Sequence, residues 1–375
     1  MCITYYKKGH CISLNKKSRR VHRERREYFS DSQLCVPRVL CVKNQIEILL
    51  QKAILAFIVC LSFFVNQLLA QAPLADDLGY RGGSIPGIKR LDKALHFIVM
   101  GDWGRNGENY QKEVAAGMGK AAHDLRASFV IATGDNFYPY GVASTQDHHW
   151  VSSFENIYTA QSLHVKWFPV LGNHDYLSNP DAEVAYSKIS SRWSMPSRYY
   201  SKTFTIGADT VLFAFIDTDP IVKELQGVKH DSVKYPAGGV ERQRQWLENV
   251  LSSSKARWKM VVGHHPLYSG GWRKESTDTK NMKAYLEPLF HKYNVDVYIC
   301  GHEHHLEYIK PTGGKTHYII SGAASEARSV ALHPDGGKFA AAVQGFATFS
   351  VARDKLLVQF IDYRDKIINE TIILK

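Results

Sequence analysis

The chain has 375 residues, 45% hydrophobic and 22% charged, with a formal charge of +11. This is a globular composition, long enough for one large domain or two ordinary ones. Residues 1–70 hold 12 Lys and Arg against 4 Asp and Glu, whereas residues 71–375 hold 35 against 32. The basic excess therefore belongs to the leader, and the folded part is not expected to bind nucleic acid.

Residues 1–46 show no sustained helical or strand period and read as a disordered or over-extended N-terminus. From 47 to 72 the layout is that of a signal peptide. Lys52 precedes a mainly apolar run, Ala53–Leu69, and small residues follow at Ala70 and Ala72. Secretion or export to a periplasm is expected, with no stable membrane association after cleavage. The alternative is an uncleaved anchor formed by residues 53–69, which lie at the short edge of what spans a bilayer. Residues 73–94, rich in Gly, Pro and charge, read as a linker to a domain over 95–375. Five of the six cysteines precede residue 71, so that domain has no internal disulfide framework, and Cys300 reads as a buried thiol.

From His96 a rhythm of short strand and amphipathic helix begins. Strands are predicted at 96–100, 128–133, 166–171, 210–216, 258–262, 295–300 and 316–321, with helices at 108–126, 239–253 and 278–293. After residue 340 the pattern turns into antiparallel strands with polar turns. The expected class is α/β, two packed mixed β-sheets flanked by helices.

Polar residues able to bind metal recur at the carboxyl ends of the predicted strands. They are Asp102 in "MGDWG", Asp135 and Tyr138 in "TGDNFY", and Asn173, His174 and Asp175 in "LGNHD". His264 and His265 follow in "VGHHP", then His302 and His304 in "CGHEHH". Beyond strand carboxyl ends is where α/β sheets bind ligands. A lone "GD" or "GN" there is usually a turn, but five such loops in order are not explained by turns. Nitrogen and oxygen donors in that number, without cysteine, exceed one tetrahedral zinc and suit two first-row ions sharing a carboxylate. Paired ions of that kind clamp a phosphoryl group during in-line displacement.

"GDWG", "GDNFY", "GNHD", "VVGHH" and "GHEHH" resemble the ordered five-motif signature of the purple acid phosphatases, small tartrate-resistant type, within the calcineurin-like metallophosphoesterases. The resemblance runs from about His96 to Ser321. It implies an α/β/β/α metallophosphoesterase sandwich and an acid phosphatase hydrolysing small phosphate monoesters by metal-bound hydroxide attack. Carried over by position, it implies an Fe(III) site of Asp102, Asp135, Tyr138 and His304. A divalent site (Fe, Zn or Mn) would be formed by Asn173, His264 and His302, with Asp135 bridging. His174 would face the substrate, with Asp175 behind it. One departure concerns the loop after "VVGHHPLYS", where a further histidine is usual and this chain has Trp272, Arg273 and Lys274 after a Gly270–Gly271 pair. The pair is expected to be flexible, letting Arg273 or Lys274 reach a phosphate oxygen, with His265 supplying part of the missing function. A phosphodiesterase or nucleotidase with another metal pair is the alternative enzyme, and a non-catalytic secreted binding protein the alternative class.

Overall fold

The computed structural model describes residues 82–227, 234, 235 and 238–375, together with residues 50–54 and 57, which are helical. The chain divides into two units, Met1–Ala72 and Pro73–Lys375. Residues 1–46 and most of the expected signal peptide lie outside the described residues, as does the larger part of the alternative anchor at 53–69. Among the described residues no helix is long and apolar enough to cross a membrane. Of the expected linker, residues 82–94 are described and lie against the domain. Ile85 is buried and its N–H donates to Asp124 Oδ2 at 2.9 Å, while the Leu91 N–H donates to Ser350 Oγ at 2.8 Å.

Strands form where β-branched and aromatic residues cluster. The first three are β1 (Leu95–Met100), β2 (Phe129–Ala132) and β3 (Lys166–Pro169). Next come β4 (Tyr200–Ile206), β5 (Asp209–Phe215), β6 (Trp258–Val262), β7 (Val297–Cys300), β8 (Leu306–Ile309), β9 (His317–Ser321) and β10 (Gly337–Ala341). The chain closes with β11 (Gly345–Val351), β12 (Lys355–Asp362) and β13 (Ile367–Leu374). One sheet has the order β13-β12-β11-β1-β2-β3 and the other β10-β8-β9-β7-β6-β5-β4. Both are mixed. β1, β2 and β3 run parallel, as do β5, β6, β7 and β9, and antiparallel strands complete each sheet.

The helices are α1 (Gln111–Leu125), α2 (Pro180–Tyr186), α3 (Asp219–Leu225), α4 (Gly239–Ser253) and α5 (Thr277–Tyr293). α1 buries Val114, Met118, Ala121, Ala122 and Leu125, the spacing of one helical face. α5 is capped at its N-terminus by Ser276, whose hydroxyl accepts the Thr279 N–H at 3.2 Å.

β5 shows how the layers are built. Val211, Phe213 and Phe215 belong to the core that includes the inter-sheet space, whereas Leu212, Ala214 and Ile216 pack with Leu247, Leu286 and Phe290 of α4 and α5. That is the two-residue period of a strand covered on both faces. Between the sheets, Phe97 stacks on Phe129 at 4.9 Å and Phe349 at 4.8 Å, and meets Phe213 of the opposite sheet edge-on at 5.3 Å. Truncating such a ring to alanine costs about 3–5 kcal/mol. The five motif loops follow β1, β2 and β3 of one sheet and β6 and β7 of the other. They meet at one end of the inter-sheet crevice.

Candidate metal centre

Three motif residues, Asp102 (φ 59°), Asp135 (φ 48°) and His302 (φ 68°), adopt left-handed backbone conformations. Each directly follows a glycine within a few residues of a strand end. Such conformations cost side-chain-bearing residues about 1–3 kcal/mol and collect at functional sites. The loops are stitched together by Asp102 N–H donating to Gly134 O (3.0 Å) and His302 N–H donating to Asp102 Oδ2 (2.9 Å). Gly172 and Gly301 are required by close approach, since a Cβ there would overlap Asp135 Oδ1 and Asp102 Oδ2 respectively.

The side chains converge as two groups that share Asp135. In the first, the Tyr138 hydroxyl lies 2.9 Å from Asp135 Oδ2, 3.2 Å from Asp102 Oδ1 and 3.1 Å from His304 Nε2. In the second, His264 Nε2 lies 3.4 Å from Asp135 Oδ1, 3.3 Å from Asn173 Oδ1 and 3.0 Å from His302 Nδ1. The structure thus brings together all seven residues expected to bind metal, with one oxygen of Asp135 in each group.

Neighbouring groups fix these side chains. His264 Nδ1–H donates to Thr133 O at 2.9 Å, which leaves Nε2 directed at the site. His174, a third exposed, hydrogen-bonds Pro139 O through Nδ1 at 2.6 Å and donates its N–H to Asp135 Oδ1 at 2.8 Å. Asp175 is fully buried and accepts N–H groups from Gly172 (2.8 Å), Asn136 (2.9 Å) and Phe137 (3.2 Å). It ties two motif loops together from behind and does not face the crevice. His265 is buried, hydrogen-bonded to Thr218 Oγ1 at 2.8 Å, with its ring 4.4 Å from that of His302. His305 turns away and pairs with Glu307 at 2.8 Å.

A model of the calcineurin-like phosphoesterase family matches residues 95–306. Purple acid phosphatase 17 of Arabidopsis thaliana is 36% identical over 299 residues, covering 76% of this chain and 86% of that protein. The chain belongs to the purple acid phosphatases. Tartrate-resistant acid phosphatase type 5 of Mus musculus is 35% identical over 246 residues, 62% of this chain and 72% of its own length. Among solved structures, a Plasmodium protein described as GAP50, the anchor in the inner membrane complex, has TM-score 0.66 at 25% identity, covering 75% of this chain and 89% of that one. A purple acid phosphatase from yellow lupin seeds shares the fold at TM-score 0.54 and 16% identity, with 75% of this chain and 54% of that one covered. As a member of this family the chain is a phosphoester hydrolase with a binuclear metal site, and the family implies iron in it.

The electrostatics of this phosphatase fit cations between the ligand groups. Burial, then the Asp135 and Asp102 carboxylates, push the Tyr138 phenol well above its usual range, so a cation is needed to make it a phenolate. Burial works against charge on His264, yet Asp135 raises it to about 9. Burial and the neighbouring His265 and His264 hold His302 well below its usual value, ready as a neutral ligand. His265 is likewise held neutral by burial and by His264.

The Trp272–Lys274 loop differs from expectation in one respect: Gly270 and Gly271 are packing glycines rather than a hinge. A Cβ on Gly270 would overlap Ala331 O, and one on Gly271 would overlap the buried Glu303 carboxylate. Gly270 N–H donates to Glu307 at 2.9 Å, holding the loop. Arg273 stacks 4.2 Å over the exposed Trp272 ring and lies 3.7 Å from Glu303. Sequence reasoning did not single out Arg105, Thr218, Glu303 or Glu326 around the centre. Glu303 sits inside "GHEHH" between two expected ligands and Arg105 directly follows "GDWG", whereas Thr218 and Glu326 lie in no motif.

Proposed function

We propose that this phosphatase hydrolyses phosphate monoesters at an Fe(III)–M(II) centre, M being Fe, Zn or Mn, and that it acts outside the cytoplasm. The carrying observation is the Asp135 carboxylate, with one oxygen toward Tyr138 and the other toward His264. Asp102, Asp135, Tyr138 and His304 would hold the ferric ion, and Asn173, His264 and His302, with Asp135, the divalent one. Oxygen-rich donors including a phenol suit a hard trivalent ion, while two imidazoles and an amide suit a divalent one. When bound, the pair supplies Lewis acidity that neutralises the phosphate and ionises a water at acidic pH.

The chain's own residues do the rest. Pro139 O anchors His174 Nδ1–H, so His174 Nε2 is turned to the centre, 4.0 Å from Asp135 Oδ2, where it would donate a proton to the departing alkoxide oxygen. Arg273, held beside Glu303 and close enough to His302 to oppose a charge there, would supply a guanidinium to a phosphate oxygen. Asp175 keeps the Asn173 loop in register with the Asp135 loop.

Two alternatives have support. A phosphodiesterase or nucleotidase shares the calcineurin-like domain. For a non-catalytic secreted binding protein the support is that the Plasmodium neighbour is described as an anchor, but seven converging donors are more than binding alone requires. Turnover of an aryl phosphate against the corresponding diester, with wild type and His174→Ala, separates the readings. Monoester turnover lowered about a hundredfold or more by His174→Ala, with little diester activity, is expected. Preference for the diester favours the first alternative, and no turnover of either by metal-replete protein favours the second.

A further inference from the structure

Behind Tyr138 and His304 lies a polar assembly that nothing in the ligand set requires. The Arg105 guanidinium sits face-on over the Tyr138 ring, Cζ 3.7 Å from its centroid. It is clamped there by Nε donating to Ser325 Oγ (3.1 Å) and Nη2 donating to Glu326 Oε2 (3.0 Å). Ser325 Oγ in turn donates to the Asp102 carbonyl at 2.6 Å. The same Glu326 oxygen lies 3.7 Å from His304 Nδ1, a buried nitrogen that makes no hydrogen bond among the described residues. Arg328 N–H donates to His304 O at 2.6 Å, and its Nε lies 3.3 Å from Glu326 Oε1. The segment 325–328 therefore touches Asp102 and His304 directly and Tyr138 through Arg105, three members of the Tyr138 group, and none of Asn173, His264 or His302 through these contacts.

We propose that Arg105 and Glu326 are positioning residues that set the electronic character of the ferric half of the centre, an inference that rests on Tyr138 and His304 holding iron. A cation over an aromatic face draws electron density from the ring, which stabilises phenolate electrons and weakens their donation to the metal. A carboxylate beside the outer nitrogen of a ligating imidazole makes that imidazole a stronger donor. The two residues act in opposite directions: Arg105 favours the ferrous state and Glu326 the ferric state. Each also holds the other in place.

The test is spectroelectrochemistry on the metal-replete protein, comparing wild type with Arg105→Met, Arg105→Lys and Glu326→Gln. Arg105→Met keeps most of the side-chain volume and removes the charge. Its tyrosinate band should move to longer wavelength and its ferric/ferrous midpoint to more negative potential. Glu326→Gln should move the midpoint to more positive potential, and Arg105→Lys should return both readings toward wild type. Bands and midpoints unchanged in a purple protein overturn this inference alone, as do shifts of the same sign in Arg105→Met and Glu326→Gln, the mark of simple loosening. If Arg105→Met does not fold, Arg105→Gln replaces it, with the same two shifts expected and the same results overturning the inference. A wild type that binds no iron overturns the ferric assignment and this inference with it.

Discussion

His302 Nδ1 stands 3.0 Å from His264 Nε2, two ring nitrogens from the loops after neighbouring strands β6 and β7, aimed at one another. Without a cation, that approach and the nearby Asp135 carboxylate are reconciled by a proton on His264, whose pKa is raised to about 9. A metal ion must displace that proton.

Divalent-ion binding should therefore release about one proton per site between pH 7 and 8.5. Calorimetric titration of the chelator-stripped protein with Zn or Mn, in buffers of different ionisation enthalpy, reads the number directly. Binding with no proton release would show that His264 is already neutral.

The stripped protein should lose stability as pH rises from 7 to 9. Burial raises Asp217 to about 8, and Asp135 raises His264 to about 9 against its burial. In the unfolded chain such groups release their protons near 4 and 6.5. The folded state thus holds more protons across this window, and stability falls as they leave. The thermal midpoint should drop from pH 7 to pH 9, and a flat or rising midpoint would contradict these assignments.

Asp175→Ala should cost at least about 2 kcal/mol, because the buried N–H groups of Gly172, Asn136 and Phe137 lose their acceptor. Asp175→Asn keeps one acceptor oxygen and should cost less. Urea denaturation of the stripped variants gives both numbers, and an alanine variant as stable as wild type would remove Asp175 from the role of brace.

Much of this was readable in the chain. The five glycine-led loops fell at strand ends, α4 was placed at 239–253 as observed, and the parallel strands announced themselves as continuous apolar runs. What was not readable has physical causes. β4, with the sequence YSKTFTI, lies at a sheet edge, where half its side chains meet solvent and the apolar signal thins. β10 is likewise an edge strand, half-buried and opened by glycine. Around the centre, Asp102 and Tyr138 belong to motifs, whereas Glu326 reaches His304 from 22 residues along the chain. Such long-range support leaves no local pattern. In the sequence the Gly270–Gly271 pair signals freedom and in the fold it is close packing, since glycine permits both.

The central claim is that Tyr138 is a ligand of ferric iron beside a second metal. The most direct measurement is the visible spectrum of the metal-replete protein and of Tyr138→Phe, with iron and divalent metal counted in the same samples. The account predicts a broad charge-transfer band in the wild type that is absent from Tyr138→Phe while the divalent ion is retained. A colourless wild type carrying two divalent ions, or a band that survives Tyr138→Phe, would contradict it.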